Sequence, residues 1–201
     1  MKVNKKKIIY LISPNKISLD FYQNLNEILS FKKVDIFQMR FKNYTQKRKI
    51  YIGKKVREIC KKNKVKFIVN DEPLLAKKLN ADGCHIGQND VDIKIAKKIL
   101  TNKIVGVTCH NSKKLAKIAI DNGADYIAFG SFYKTQTKKV NHYARLDILK
   151  WAKNNFKIPI IAIGGINNLN FKKLIHSGAS MVAISGFIWG QNFPTKRIKL
   201  F

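Results

Sequence analysis

The sequence predicts an α/β fold, a single (β/α)₈ barrel of the TIM type, and two features of the chain support that prediction. Short apolar runs rich in β-branched residues recur along the chain, and stretches with helical periodicity lie between them. Such alternation is typical of a parallel sheet covered by helices. About eight repeats without a change of composition favour a closed barrel over an open doubly wound sheet. We assign all 201 residues to this one domain.

The candidate strands follow one another at fairly regular intervals. They are Ile8–Ile12, Val34–Phe37, Val65–Val69, Asp82–Ile86, Ile104–Val107, Tyr126–Phe129, Pro159–Ile163 and Met181–Ile184. Continuous apolar runs of this length indicate parallel strands that are buried on both faces. Between them, apolar residues recur at helical spacing, as in Phe21, Leu25, Ile28 and Leu29. Strand and helix therefore alternate throughout the chain.

Two segments depart from an average barrel. The helix around Leu74 to Leu79 must be short, because the third and fourth candidate strands lie close together in the sequence. After Ile188 the chain continues from Trp189 to Pro194 and then into a basic tail, where a barrel normally has a closing helix. We therefore expect an atypically short closing segment at the C-terminal end of the barrel.

The charge of the chain is extreme, since 40 Lys+Arg against 12 Asp+Glu give a formal net charge of +28. Such an excess is found in proteins that bind nucleic acids or anionic membranes. Basic pairs such as Lys61-Lys62 and Lys97-Lys98 are, however, spread over almost every segment and mostly lie beside apolar positions at helical spacing. This distribution indicates solvated helix faces, and no recognised nucleic-acid module accompanies the charge. We expect no specific nucleic-acid partner and no membrane partner.

The three cysteines, Cys60, Cys84 and Cys109, lack the spacing of a metal site or a redox pair. Buried thiols in a reducing compartment are the simpler interpretation. The apolar stretch Ile8–Ile12 is too short for a signal peptide or a membrane span. We therefore expect a soluble, cytoplasmic protein.

Basic and amide side chains follow the second candidate strand. In a β/α barrel the chemistry lies where strands pass into the following loops. Gln38, Arg40 and Lys42 occupy such an exit, and alternation directs all three to one side of the chain. A guanidinium fork and a point charge together suit a multiply charged phosphate. The alternative is a solvated strand end in a lysine-rich protein.

Two of the few acidic residues occur at neighbouring strand exits. The third candidate strand is followed by Asn70 and Asp71, and the fourth leads through Gly87 to Asp90. Two carboxylates, together with substrate phosphate oxygens and waters, form the usual octahedral ligand set of magnesium. The alternative is structural, with Asp71 capping a helix and Asp90 forming a turn.

The fifth and sixth candidate strands end in hydroxyl and basic side chains. Thr108 is placed to hydrogen-bond a phosphate or a ring nitrogen, whereas His110 is interpreted as a structural contact at the start of a helix. The sixth strand opens into a polar loop, which could wrap an anion or be an ordinary surface loop. The candidate anion-binding residues of this loop are Thr135, Thr137 and Lys138.

Small residues follow the last two candidate strands. The seventh strand ends at Gly164 and Gly165, and the eighth ends at Ser185 and Gly186. Backbone amides that small residues leave accessible at these two exits form the common phosphate site of the fold. Glycines can also merely permit tight turns. Their occurrence at both exits favours phosphate binding.

Taken in order, these exits resemble the thiamine phosphate synthase family from Ile8 to Ile188. The pieces that carry the resemblance are Gln38–Lys42, Val69–Asp71, Ala81–Asp90, Gly123–Tyr126, Thr135–Lys138 and Ile160–Ile166. Their order and spacing make the resemblance far more specific than any one piece. It implies a transferase of thiamine biosynthesis that uses Mg²⁺ to join hydroxymethylpyrimidine diphosphate to thiazole phosphate and releases pyrophosphate.

The resemblance also implies roles for individual residues. Asp71 and Asp90 would hold magnesium against the diphosphate. The diphosphate would contact Arg40, Lys42, Asn70 and Lys138, and the pyrimidine would contact Gln38. Thr108 stands where the family usually has serine. The thiazole phosphate would be surrounded by Thr135, Thr137, Gly165, Ser185 and Gly186. Four of these residues would act in catalysis, namely Arg40, Lys42, Thr108 and Lys138.

The sequence departs from the family pattern at several positions. Met39 replaces a usual leucine, which changes side-chain volume only mildly. Ser131 and Lys134 stand where the loop after the sixth strand usually carries prolines, so this loop is expected to be less rigid. Gly186 replaces a usual serine, which keeps a backbone amide donor but removes a hydroxyl.

Two alternative functions are compatible with the same fold. A thiazole tautomerase of the same superfamily would lack a complete set of diphosphate and metal ligands, whereas this chain retains Asn70, Asp71, Asp90 and Lys138. A non-catalytic phosphate-binding or nucleic-acid-associated protein is the alternative from a different class. Its only positive support is the short C-terminal end.

Overall fold

The computed structural model describes residues 8–135, 142–190 and 192–201, and these residues form a closed barrel of eight parallel strands. The strands are β1 (Ile9–Ile12), β2 (Val34–Met39), β3 (Lys66–Asn70), β4 (Gly83–Ile86), β5 (Ile104–Thr108), β6 (Tyr126–Gly130), β7 (Ile160–Ile163) and β8 (Met181–Ile184). Each strand pairs with its neighbours in chain order, and β1 also pairs with β8. The predicted (β/α)₈ barrel is confirmed.

Helices lie between the strands along the whole chain. They are α1 (Phe21–Ser30), α2 (Gln46–Lys62), α3 (Pro73–Lys78), α4 (Ile93–Ile99), α5 (Lys113–Asp121), α6 (Leu146–Asn155), α7 (Phe171–His176), α8 (Gly186–Trp189) and α9 (Pro194–Ile198). The periodic apolar residues of α1 are all buried, as their helical spacing predicts. Helix α3 is only 6 residues long, so the predicted short helix between β3 and β4 is confirmed.

Two apolar cores hold the barrel together. The larger core lies between the strands and the surrounding helices, and the smaller core fills the barrel interior. Interior residues alternate along the strands, as the pleat requires. They are Tyr10, Ile12, Ile36, Ile68, Tyr126, Ala128, Ile161, Met181 and Ala183. Residues two positions further along these strands therefore face the mouth of the barrel, at the carboxyl ends of the strands.

The short closing segment completes the barrel despite its length. Strand β8 lies in parallel register with β1, pairing Val182 with Ile9. The indole nitrogen of Trp189 donates a hydrogen bond of 2.7 Å to the carbonyl oxygen of Ile12. Ile198 in α9 is fully buried, and the ring of Phe201 packs 5.0 Å from that of Phe171. Two short helices and the terminal aromatic ring thus cover the seam, where a barrel normally has one closing helix.

The remaining general predictions concern thiols and membranes. Cys60, Cys84 and Cys109 are all unpaired and buried, as the sequence predicted. Burial raises the pKa of each thiol, which disfavours thiolate chemistry. Among the helices that the structure describes, none combines the length and the apolar character required to cross a membrane.

Candidate active site

Amide side chains from β2 and β3 meet at the mouth of the barrel. Gln38 and Asn70 each lie two residues after an interior residue, so both face inward. The amide nitrogen of Gln38 donates a hydrogen bond of 2.6 Å to the amide oxygen of Asn70, and Gln38 is only 3% exposed. The structure therefore brings together two residues that the sequence assigned to one substrate.

Arg40 is fixed against the loop that follows β1. Its backbone nitrogen donates to the hydroxyl of Ser13 at 2.9 Å, and this hydroxyl in turn donates to the carbonyl oxygen of Arg40. The guanidinium donates to the amide oxygen of Asn15 at 3.3 Å. The side chain is thus directed over the mouth between β1 and β2, in contact with solvent.

Lys42 and Asp71 form an ion pair at the same edge. The ammonium nitrogen of Lys42 lies 3.2 Å from a carboxylate oxygen of Asp71. Lys42 is half exposed, whereas Asp71 is 20% exposed. Asp71 adopts a left-handed backbone conformation (φ 62°), and its backbone nitrogen donates to the carbonyl oxygen of His85 at 2.7 Å. These contacts fix the position at which the chain leaves β3.

The two predicted magnesium ligands, Asp71 and Asp90, interact directly. Burial raises the pKa of the Asp71 carboxyl above its usual range, the neighbouring Asp90 carboxyl raises it further, and Lys42 opposes both effects. A carboxylate oxygen of Asp90 also accepts a hydrogen bond of 2.8 Å from the backbone nitrogen of Gly87. The fold therefore holds the two acidic groups close together although the Asp90 carboxyl disfavours ionisation of Asp71.

The structural alternatives were a helix cap at Asp71 and a turn at Asp90, and the structure shows only the second. Helix α3 is capped at Glu72 with no side-chain hydrogen bond, so Asp71 is not its N-cap. Asp90 does close the turn after β4 through Gly87. Two mutually repelling carboxylates are a donor set that a hard divalent cation suits. Within the described residues no group of three or more acidic, histidine or cysteine side chains is suited to a metal ion.

A chain of hydrogen bonds that the sequence did not reveal runs from the mouth into the barrel interior. The Thr108 hydroxyl lies 2.8 Å from Nε2 of His85. Nδ1 of His85 lies 2.9 Å from the hydroxyl of Tyr126, which lies 2.9 Å from the hydroxyl of Tyr10. Burial lowers the pKa of His85 to about 4, so its imidazole is neutral. The sequence feature that could have revealed these hydrogen bonds is the occurrence of polar residues at inward-facing strand positions.

The loop after β6 is anchored beside β7. The backbone nitrogens of Phe132 and Tyr133 donate to the carbonyl oxygens of Ile163 and Gly164, at 3.0 and 3.1 Å. Half-buried Thr135 follows on this loop, next to residue 136, where the described range breaks off. Two of the predicted loop residues, Thr137 and Lys138, lie outside the described residues.

The small residues at the last two exits also have structural constraints. Gly165 has φ 61°, and a Cβ there would lie 2.4 Å from the carbonyl oxygen of Lys134, so only glycine fits. The Ser185 hydroxyl donates to the carbonyl oxygen of Ser13 at 3.0 Å, across the seam between β8 and β1. Gly186 is the first residue of α8. The tight-turn interpretation thus holds for Gly165, and phosphate binding there stays a prediction.

His110 has a different neighbourhood from the one that its position in the sequence suggested. Helix α5 is capped by Ser112, whose hydroxyl accepts from the backbone nitrogen of Leu115. The imidazole of His110 lies 4.8 Å from that of His142, at the base of the loop after β6. The described cap of α5 is therefore Ser112, and His110 contacts the loop.

A closed parallel barrel whose mouth gathers paired carboxylates, cations and amides has the arrangement of the TIM-barrel class of enzymes, whose active sites lie at the carboxyl ends of the strands. A family model described as thiamine monophosphate synthase matches residues 9–188. The chain belongs to the thiamine monophosphate synthase family. The predicted family and enzyme class, a transferase of thiamine biosynthesis, are confirmed.

Individual relatives agree with this assignment. The chain is 58% identical over 192 residues to a thiamine-phosphate synthase of Pelagibacter ubique, covering 94% of this chain and 93% of the relative. It is 40% identical over 186 residues to that of Erythrobacter litoralis, covering 90% and 87%. A solved thiamine phosphate pyrophosphorylase from Pyrococcus furiosus superposes with a TM-score of 0.87 at 29% identity, covering 98% of this chain and 94% of that structure.

Proposed function

We propose that this chain condenses hydroxymethylpyrimidine diphosphate with thiazole phosphate in the presence of Mg²⁺, giving thiamine phosphate and pyrophosphate. The observation that carries the proposal is the Asp71–Asp90 carboxylate pair beside Lys42 at the barrel mouth, in a chain of this family. A bound magnesium ion would neutralise charge on the leaving diphosphate. Lys42 lies against Asp71 and would contact the same phosphate groups.

The reaction exchanges one bond for another. The carbon–oxygen bond between the pyrimidine methylene and the diphosphate breaks, and its electron pair leaves with pyrophosphate. The thiazole nitrogen then donates its lone pair to the resulting pyrimidine-methyl cation, forming the carbon–nitrogen bond. Arg40, Lys42, Asn70 and Lys138 would stabilise the charge that grows on the diphosphate. Holding the two substrates together in a fixed orientation would supply much of the remaining rate enhancement.

The amide pair Gln38–Asn70 would recognise the pyrimidine. Because the nitrogen of Gln38 donates to Asn70, the amide oxygen of Gln38 remains to accept from an amino group on the ring. The thiazole phosphate would occupy the opposite side of the mouth, among Thr135, Thr137, Gly165, Ser185 and Gly186. The proposal also places the protein in the cytoplasm, which its buried unpaired thiols support.

The test is to incubate purified protein with both substrates and magnesium and to measure thiamine phosphate and pyrophosphate. We expect both products in equal amounts, and neither after magnesium is chelated. Rearrangement of a thiazole precursor without condensation would identify a tautomerase. Folded protein that forms no thiamine phosphate would overturn the proposed function.

The net charge of +28 leads to a separate prediction about nucleic acids. Lysines spread over the helix faces give a diffuse attraction, so we expect weak binding to duplex DNA at low salt that disappears near physiological salt. Fluorescence anisotropy of a labelled duplex, titrated with protein at several salt concentrations, measures this directly. Tight, saturable binding at physiological salt would instead support a nucleic-acid-associated function.

A further inference from the structure

Three hydrogen bonds link four side chains across the barrel interior. Thr108 on β5 faces His85 on β4, His85 faces Tyr126 on β6, and Tyr126 faces Tyr10 on β1. Only the Thr108 end lies at the barrel mouth, since Tyr10 and Tyr126 are at most 2% exposed. We call these four residues the interior chain. Residues on three other strands are thereby connected to the Thr108 hydroxyl at the barrel mouth.

The hydrogen atoms available to the interior chain determine its direction. A neutral imidazole donates from one nitrogen and accepts at the other, and each hydroxyl donates one hydrogen. The structure shows one hydrogen-bond partner for the Tyr10 hydroxyl among the described residues, which is the hydroxyl of Tyr126. Because an unused buried donor is costly, Tyr10 donates to Tyr126. Tyr126 must then donate to Nδ1 of His85.

This direction fixes the remaining groups. With Nδ1 of His85 accepting, the imidazole hydrogen is on Nε2 and is donated to the Thr108 hydroxyl oxygen. The reverse direction, or an imidazole protonated on both nitrogens, would make Tyr126 donate to Tyr10 and leave the buried Tyr10 hydrogen without an acceptor. Either arrangement would bury an unsatisfied donor in the apolar interior.

We propose that the interior chain holds the Thr108 hydroxyl as a hydrogen-bond donor toward the substrate, with His85 and Tyr126 as positioning residues. The hydroxyl oxygen of Thr108 receives the His85 hydrogen, so its own hydrogen is directed to an acceptor in the mouth. A phosphate oxygen or an unprotonated ring nitrogen has that chemistry, whereas an amino group does not. The identity of the substrate in this assignment rests on the proposed function. The direction of the hydrogen bonds in the interior chain does not depend on it.

The direction can be measured without any substrate. Two-bond ¹H–¹⁵N correlation spectra of protein labelled on its histidines distinguish a protonated Nε2 from a protonated Nδ1. We expect His85 at neutral pH to carry its hydrogen on Nε2 alone, with His85→Gln identifying the signals. A hydrogen on Nδ1, or on both nitrogens, would overturn the proposal whether or not the protein is an active synthase.

Two tyrosine variants separate positioning from mere structural support. Tyr126→Phe and Tyr10→Phe each remove one buried hydroxyl of the interior chain. Only Tyr126→Phe removes the donor to His85, because in Tyr10→Phe the Tyr126 hydrogen still has Nδ1 as its acceptor. We expect Tyr126→Phe to mix the two His85 tautomers and to lower kcat about tenfold with little change in KM. Tyr10→Phe should keep the Nε2 tautomer and lose less than about threefold.

The thermal midpoints of both variants are measured alongside, and rates are compared well below both midpoints, because Tyr126→Phe removes two buried hydrogen bonds and Tyr10→Phe removes one. Equal losses of kcat in the two variants would show that the hydroxyls matter only for stability.

At the mouth, Thr108→Ser should retain most of kcat and Thr108→Val should not, because valine keeps the shape of threonine but lacks the hydroxyl hydrogen. Full activity of folded Thr108→Val would contradict the proposal.

Discussion

Asp71→Asn is expected to lower kcat by about a hundredfold or more while the barrel still folds. Asparagine keeps the size of the side chain and one acceptor oxygen, but it lacks the negative charge that would bind the magnesium ion. Asp90→Asn should have a similar effect, because the two carboxyls lie together and would bind the metal ion as a pair. The measurement is the initial rate of thiamine phosphate formation against magnesium concentration for each purified variant.

Asp92→Asn provides the matched control. Asp92 lies two residues after Asp90, and its side chain accepts from the backbone nitrogen of Lys94 at the start of α4. Asparagine caps helices about as well as aspartate, so this variant should retain the wild-type rate and magnesium response. Full activity and an unchanged magnesium curve in both Asp71→Asn and Asp90→Asn would remove the metal assignment.

Asp71→Asn is also expected to change how the stability of the folded protein depends on pH. Because the folded protein raises the pKa of Asp71, folding favours its protonated form, and ionised Asp71 makes metal-free protein less stable above the usual aspartate range. Asp71→Asn removes that penalty. The difference in thermal midpoint, variant minus wild type, should therefore increase as the pH rises from the ordinary aspartate pKa of 3.8 through the raised value. Added magnesium should reduce the difference at neutral pH.

Lys138→Ala is expected to slow departure of pyrophosphate by tens- to several hundred-fold, about 2 to 4 kcal/mol of transition-state stabilisation. Lys138 lies outside the described residues, but both sides of its loop are fixed at the mouth. The backbone nitrogen of Ser131 donates to the carbonyl oxygen of His142, and that of Ala144 donates to Ser131.

Single-turnover rates and titrations with thiazole phosphate would distinguish the two ends of the site. We expect Lys138→Ala to lose rate while thiazole phosphate binding stays nearly intact, because backbone amides near Gly165 and Ser185 would hold that phosphate. Lys139→Ala removes the same charge from the adjacent position and should retain most of the rate. A Lys138→Ala variant that reacts at the wild-type rate but loses thiazole phosphate would reverse the assignment of the two ends.

The barrel could be predicted because its signals are local. Each buried strand is an apolar run, and each exit residue follows its strand directly, so the meeting of Gln38 with Asn70 follows from strand order. The hydrogen bonds among Tyr10, His85 and Tyr126 could not be derived in this way. They cross the barrel interior between residues 41 to 116 positions apart, and their partners depend on the register of strands that do not pair with one another.

The position of Asp71 shows a second limit of sequence reasoning. Its place after β3 indicated a ligand, and its neighbour Asp90 was expected at the next exit. The ion pair with Lys42 was not foreseen, because Asp71 had been assigned to magnesium and Lys42 to the diphosphate. Side-chain pairing depends on backbone dihedral angles such as the left-handed conformation of Asp71, which the surrounding residue types do not specify.

The seam between β1 and β8 has a consequence for synthesis of the chain. The indole hydrogen bond that fastens it joins residues 177 positions apart, so the barrel cannot close while the ribosome is still making the intervening helices and strands. Until β8 emerges, β1 presents an unpaired edge to solvent, and such edges recruit strands from other chains. A nascent chain of this kind is therefore most exposed to misassociation during the last part of its translation, when a chaperone would protect it best.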